Sequence, residues 1–139
     1  MNILITGVAG FIGYHLTNKL LSKNLTIHGI DSLSRYYDVD LKNSRLKNLK
    51  NRNFKFYQFN LKSKNKLFSF FNQNKIDLVI HLAAQAGVRY SISNPYTYIS
   101  NNISSFLNIL ECCRQFNVKH LIYASSSSVY GNQYSVPYS

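Results

Sequence analysis

Apolar residues along this chain come in short clusters of two different periods, and the alternation of those periods predicts the architecture. Asn2–Thr6 is a brief run rich in β-branched residues, followed at once by glycines and then by Phe11, Ile12, His15, Leu16, Leu20 and Leu21 at helical spacing. That is strand, tight turn, helix. Residues 25–30 predict a second strand ending at Asp31, and Val39, Leu41, Leu46 and Leu49 recur at spacings that suit a helix over 39–49. A third strand is expected at 54–59. A short helix over 64–71 should end in the polar stretch 72–75, and 77–82 is a continuous apolar strand of the kind covered on both faces. Asn94 and Pro95 predict the next helix start, because Asn can cap and Pro suits the first helical position. That helix should run to about Phe116 with Ile99, Ile103, Phe106, Leu107, Leu110 and Cys113 as its apolar stripe, and 118–123 supplies a fifth strand.

Strands alternating with helices predict an α/β fold, a parallel sheet with helices on both faces joined by right-handed crossovers. No linker, internal repeat or low-complexity tract divides the chain. Its 139 residues suit one domain, and 45% hydrophobic content is enough to bury a core.

Composition narrows the function classes. No run of about 18 apolar residues appears, and Met1 leads directly into a strand rather than a charged leader, so the expectation is a soluble, cytoplasmic protein with no membrane partner. Cys112 and Cys113 are adjacent on a predicted helix, where neighbours point in different directions, and read as reduced packing residues. The net charge of +11 is concentrated between Arg35 and Lys66. Without aromatic residues interleaved on a recognisable module it predicts no nucleic-acid partner, only a general attraction to anionic nucleotides. His15, His28, His81 and His120 lie on different elements without paired metal spacing, so no metal site is expected.

The chemistry is concentrated in Thr6-Gly7-Val8-Ala9-Gly10-Phe11-Ile12-Gly13. A Gly-x-x-Gly-x-x-Gly loop alone says little, but this one leaves the first strand and opens the first helix. Gly7 can turn sharply, Gly10 lets the main chain approach a pyrophosphate, and Gly13 allows helix to pack closely on strand. Amides at the helix start, around Phe11 and Ile12, then receive the anion. Asp31 follows at roughly the 20-residue separation at which a carboxylate meets the adenosine ribose hydroxyls, which favours NAD over NADP; Arg35, four residues later, is positioned to soften that preference.

These residues resemble the extended short-chain dehydrogenase/reductase superfamily of NAD-dependent epimerases and dehydratases, and among them the UDP-glucuronate 4-epimerases. The resemblance rests on Ile5-Thr6-Gly7 through Gly13-Tyr14-His15-Leu16, Tyr36-Tyr37-Asp38-Val39, the run from His81 to Ser91, Asn94-Pro95, and Ala124 to Gly131. It covers essentially the whole chain and somewhat under half of a typical family member. It implies a doubly wound Rossmann sheet of strand order 3-2-1-4-5, truncated, with residues 1–139 as an incomplete NAD-binding domain lacking the later strands and the substrate domain. Leu82, Ala83 and Ala84 would end the fourth strand against NAD, with Asn60 and Leu61 near adenine and Asn102 supporting the cofactor region. Ser126 aligns with the catalytic Ser or Thr that hydrogen-bonds the sugar O4 while a tyrosine removes its proton and NAD takes the C4 hydride, giving a 4-ketosugar.

Related dehydratases and decarboxylases carry an acid beside this serine. This chain has Ser127 and Ser128, which favours simple 4-epimerisation and offers hydrogen bonds to a substrate carboxylate. Arg89 is a candidate for the sugar or pyrophosphate, the alternative being a solvated loop arginine. Two departures qualify the likeness: Phe59-Asn60 stands where the family has Gly-Asp, and the family's Tyr-x-x-x-Lys pair does not occur. The implied reaction is UDP-glucuronate to UDP-galacturonate, supplying surface polysaccharide synthesis. Another UDP-sugar 4-epimerase or a non-catalytic nucleotide-binding relic are the alternatives. The resemblance also implies a homodimer in the full-length form, with the helix over 94–116 helping to build the interface.

Overall fold

A computed structural model describes residues 1–138. Five strands, β1 (Asn2–Thr6), β2 (Thr26–Asp31), β3 (Phe54–Gln58), β4 (Leu78–His81) and β5 (His120–Tyr123), form one parallel sheet in the order β3-β2-β1-β4-β5. The order of strand addition changes side at β1, with β2 and β3 to one side and β4 and β5 to the other. The gap between the C-terminal ends of β1 and β4 is the crevice where such sheets take ligands.

Alternation along the strands divides the core between two faces. Leu4, Ile30 and Val79 point to one side, where they pack with Leu67, Phe70 and Phe71 of α3 (Lys64–Gln73) and Ile109 and Cys112 of α6 (Ser105–Gln115). Ile3, Ile5, Ile27 and Ile80 point to the other, against Leu21 of α1 (Phe11–Leu21) and Leu49 at the end of α2 (Val39–Asn48). β4, between β1 and β5 and apolar except for His81, is covered on both faces. β5 is one of the two sheet edges, and its Ile122 and Tyr123 are exposed.

The long helix expected over 94–116 differs most from its sequence reading. A short α4 (Val88–Ser93) precedes it, and the rest is α5 (Pro95–Tyr98), a π-helical segment (Ile99–Ser104) and then α6. Asn94 precedes Pro95 but makes no side-chain cap; its Nδ2 donates instead to Ser93 Oγ at 3.0 Å. The wide turn shifts the helical phase. Ser105, Ile109 and Cys112 face the core, whereas Ile99, Ile103, Leu107 and Leu110 of the expected apolar stripe are exposed. On α2 a similar inversion occurs: Leu41 is exposed and Lys42 is buried.

Candidate functional site

Every parallel strand delivers its following loop to the same rim, so the glycine turn after β1, Asp31 after β2, Asn60 after β3 and Leu82–Ala84 after β4 gather there. The glycine turn is built by close approach. Gly7 has φ of 71°, and a Cβ there would sit 2.9 Å from the Ala83 amide nitrogen. Gly7 N donates to Ile30 O at 2.8 Å, Gly10 N to Gly7 O at 3.0 Å, and Tyr14 N to Gly10 O at 3.0 Å. That last bond is the first helical one, so the amides of Phe11, Ile12 and Gly13 open α1 ahead of it. No side chain caps this helix end, since its N-cap residue is Gly10. A cradle whose walls would be filled by a Cβ, ending in outward-facing amides, fits a diphosphate.

Asp31 lies beside this turn. Its Oδ2 accepts from Ala9 N at 3.0 Å and its Oδ1 from Leu33 N at 2.9 Å, so one carboxylate ties the glycine turn to the β2–α2 loop. Each oxygen keeps acceptor capacity for a further hydroxyl. Arg45 supports the same turn from α2, donating to Ala9 O at 3.2 Å and to the Tyr37 hydroxyl at 3.3 Å.

A cavity of about 250 Å³ opens alongside, lined by Gly10, Asp31, Asn60, Leu61, Ala83 and Ala84 among the residues singled out in the sequence. Ser34, Tyr36 and Lys42 complete the wall toward α2. Asn60 spends its Oδ1 on Lys62 N at 2.9 Å, shaping the loop after β3, while the main chain of Leu61 is held by Asn108 Nδ2 at 2.9 Å.

Thr6 fixes the far wall. Its Oγ1 accepts from Leu82 N and Ala83 N, both at 3.2 Å, and lies 2.8 Å from His81 Nδ1. With its acceptor sites taken by amides, the hydroxyl donates to Nδ1, which assigns the His81 proton to Nε2. Burial pushes the His81 pKa down to about 4, so the imidazole is neutral, stacked on Phe106 with ring centroids 5.2 Å apart.

Asn102 sits in the π-helical segment and grips the Gln85 backbone at both ends: Oδ1 accepts from Gln85 N at 2.7 Å, and Nδ2 donates to Gln85 O at 3.0 Å. Tyr98 donates to Ala86 O at 2.8 Å and also reaches Gly87 O. The loop after β4 is therefore held from α5 and the π turn together, and Asn102 acts on the loop's main chain.

The remaining candidates lie apart from the cavity wall. Phe11 and Ile12 are exposed at the start of α1, and Arg89 is exposed in the first turn of α4. Ser126, Ser127 and Ser128 follow β5 and are exposed. Ser126 Oγ accepts from Ser128 N at 3.2 Å and donates to Ser128 Oγ at 3.1 Å, capping a single turn, Ser127–Tyr130. Thr6, Lys42 and Tyr98 are the contributors that the sequence reading left unassigned. Thr6 was legible as part of the glycine motif, whereas nothing in the pattern singled out a lysine among many.

Among the described residues no cluster of three or more His, Cys, Asp or Glu could hold a metal ion, and no helix is long and apolar enough to cross a membrane. The cysteines are free thiols, Cys112 buried and Cys113 partly so, and burial pushes both up to about 11.

The family model described as GDP-mannose 4,6 dehydratase matches residues 4–139. The chain is 53% identical over 139 residues to "Protein CapI" of Staphylococcus aureus, covering all of this chain and 42% of that protein. It is 47% identical over 131 residues to the UDP-glucuronate 4-epimerase of Thermodesulfobacterium geofontis, covering 94% of this chain and 41% of that one. The solved structure of UDP-glucuronic acid 4-epimerase from Bacillus cereus in complex with UDP-glucuronic acid and NAD matches with a TM-score of 0.86 at 36% identity, over 97% of this chain and 43% of that chain. The chain thus spans well under half the length of these relatives. The glycine turn, the sheet order and these likenesses agree: the chain belongs to the GDP-mannose 4,6 dehydratase family, within the NAD-dependent epimerases of the short-chain dehydrogenase/reductase group.

Proposed function

We propose that residues 1–139 are the NAD-binding part of a nucleotide-sugar 4-epimerase acting on UDP-glucuronate. The observation that carries this reading is the glycine turn packed against β4 and tied through Ala9 to the Asp31 carboxylate. It joins a diphosphate cradle to a ribose acceptor at the crevice between β1 and β4. The names of the relatives support the substrate class, and the choice of uronate is supported by the pair Ser127 and Ser128, hydroxyls suited to a carboxylate.

In this reading, NAD supplies a hydride acceptor when bound. The chain's own residues do the positioning. The α1 amides and Gly10 orient the diphosphate, Asp31 orients the adenosine ribose, and Ala83 and Ala84, held by Thr6 and the Asn102 grip on Gln85, set the wall of the cavity. Ser126 holds or passes the proton of the sugar hydroxyl, and Arg89 meets the sugar or pyrophosphate; this requires the segment after β5 and the start of α4 to turn toward the crevice from the exposed positions described above.

Two experiments test the reading. Calorimetric titration of the chain should give saturable NAD binding, tighter than NADP; no binding rejects it. Exchanging these 139 residues for the matching stretch of the Thermodesulfobacterium geofontis enzyme should give a chimera that interconverts UDP-glucuronate and its C4 epimer. Turnover of UDP-glucose or UDP-N-acetylglucosamine in place of the uronate would move the assignment to another UDP-sugar. NAD binding without turnover of any of them would favour a non-catalytic protein.

A further inference from the structure

β3 is the other edge of the sheet, and among the described residues no strand pairs with its outer side. Asn53 O accepts from Ile27 N at 2.8 Å, so by the alternation of a parallel ladder Lys55 and Tyr57 turn their main-chain groups to β2. Phe54, Phe56 and Gln58 turn theirs outward. Phe54 N donates to Asn51 O at 3.0 Å, whereas among the described residues the amides of Phe56 and Gln58 and the carbonyls of Phe54 and Phe56 have no partner. A groove of about 790 Å³ runs along this edge, between β3 and α2. Leu46, Phe54 and Phe56 give it apolar ground, Lys47 and Lys50 stand exposed in its wall, and Asp40 is the one carboxylate that lines it. Lys55 is exposed on the opposite face of β3, so cations flank the edge on both faces.

We propose that the outer edge of β3 docks an extended acidic segment of another protein, which adds a further strand to the sheet. The segment's main chain pairs with the outward groups of Phe54, Phe56 and Gln58. Its alternate side chains enter the groove against Leu46 and Phe56, and its carboxylates meet Lys47 and Lys50 on one face and Lys55 on the other. The free groups include both donors and acceptors, and that selects the class of partner. A phosphate backbone offers acceptors for the two amides but no donor for the carbonyls, whereas a peptide strand offers both. A second copy of this chain is opposed by charge, since each copy carries +11 and lysine along an edge keeps sheets from pairing with themselves. An acidic strand meets attraction where a copy meets repulsion. Neither Gly10, Asp31 nor Ala83 lines this groove, so the surface is separate from the dinucleotide cavity.

The probe is an end-capped peptide of about nine residues alternating Glu and Val, long enough to span the five residues of β3. Titrated into the isotopically labelled 139-residue chain, it should shift the amide signals of Phe56 and Gln58 and protect both from hydrogen exchange. A peptide alternating Glu and Pro keeps the charge but cannot pair as a strand, and should not bind. Lys47→Glu combined with Lys50→Glu should weaken the Glu-Val peptide on the order of tenfold. If melting shows that this double variant does not fold, the parent chain decides through salt: its affinity for the peptide must fall as salt rises from about 0.05 to about 0.5 M. Unprotected Phe56 and Gln58 amides at saturating peptide overturn the proposal. So does equal binding of the Glu-Pro peptide or of single-stranded oligothymidylate, which would reduce the surface to a general attraction for anions. Protection of the two amides that grows with protein concentration alone, before any peptide is added, gives the edge to a second copy and overturns it as well.

Discussion

Gly13 lies so close beneath the first turn that a Cβ built on it would come within 2.2 Å of the Gly7 carbonyl oxygen and 2.9 Å of the Val8 Cα. Neither neighbour is the movable end of a side chain. Gly13→Ala should therefore push α1 off β1 and lose roughly 3 kcal/mol or more in a urea denaturation series. Gly10→Ala meets the same carbonyl at 3.0 Å and should lose much less. Equal losses at the two positions would contradict the packing described.

Asp31→Asn leaves one oxygen for two amides and turns an N–H toward a second N–H, at Ala9 or Leu33. The substitution should cost on the order of 1.5–3 kcal/mol of stability, as expected for losing a bond to a charged acceptor. In paired titrations NAD affinity should fall while NADP affinity holds or rises.

The His81 imidazole makes the domain sensitive to acid. Its pKa is lowered to about 4 by burial from an ordinary value of 6.5, so the unfolded chain takes up a proton before the folded chain does. Stability should be level above about pH 6.5, fall as pH drops toward 4, and lose roughly 3 kcal/mol across that window. His28, also lowered by burial and then by Lys55, adds to the same slope. Melting curves of the parent and of His81→Leu between pH 7.5 and 4.5 check this; a variant with the full parental slope would refute the assignment to His81.

Asn102→Asp keeps an acceptor for Gln85 N but places a second carboxylate oxygen against Gln85 O, where Nδ2 now donates. It should weaken NAD binding more than Asn102→Ala does, with faster hydrogen exchange at the Gln85 amide in both. An unchanged exchange rate would mean that the loop is held by Tyr98 alone.

Most of this fold could be read along the chain. The apolar runs of β1 and β4 and the glycines between β1 and α1 are local signals, and Asp31 stands at a fixed distance from them. What escaped was tertiary. The apolar stripe Ile99, Ile103, Leu107 and Leu110 has impeccable helical spacing, yet it lies exposed within and after the π turn at Ile99–Ser104, while Ile109 and Cys112 on another side of the helix face the core. Lys42 was hidden by the opposite logic, since patterning assigns a lysine to water. Asn94 looked like a cap because Asn before Pro usually is one, but its amide found Ser93 first. Ser126 was legible only through the resemblance; its local geometry is that of a hydroxyl capping its own turn.

The widened turn before α6 separates two obligations along one rod. Upstream residues answer to the loop that Asn102 clasps, downstream ones to the interior that Ile109 fills, and the extra residue per turn reconciles their angular settings. Deleting one position between Ile99 and Ser104 would restore regular winding and swing the two halves by about a quarter-revolution against each other. Either the clasp or the interior would then be served, and never both, which makes that short stretch intolerant of a change in length.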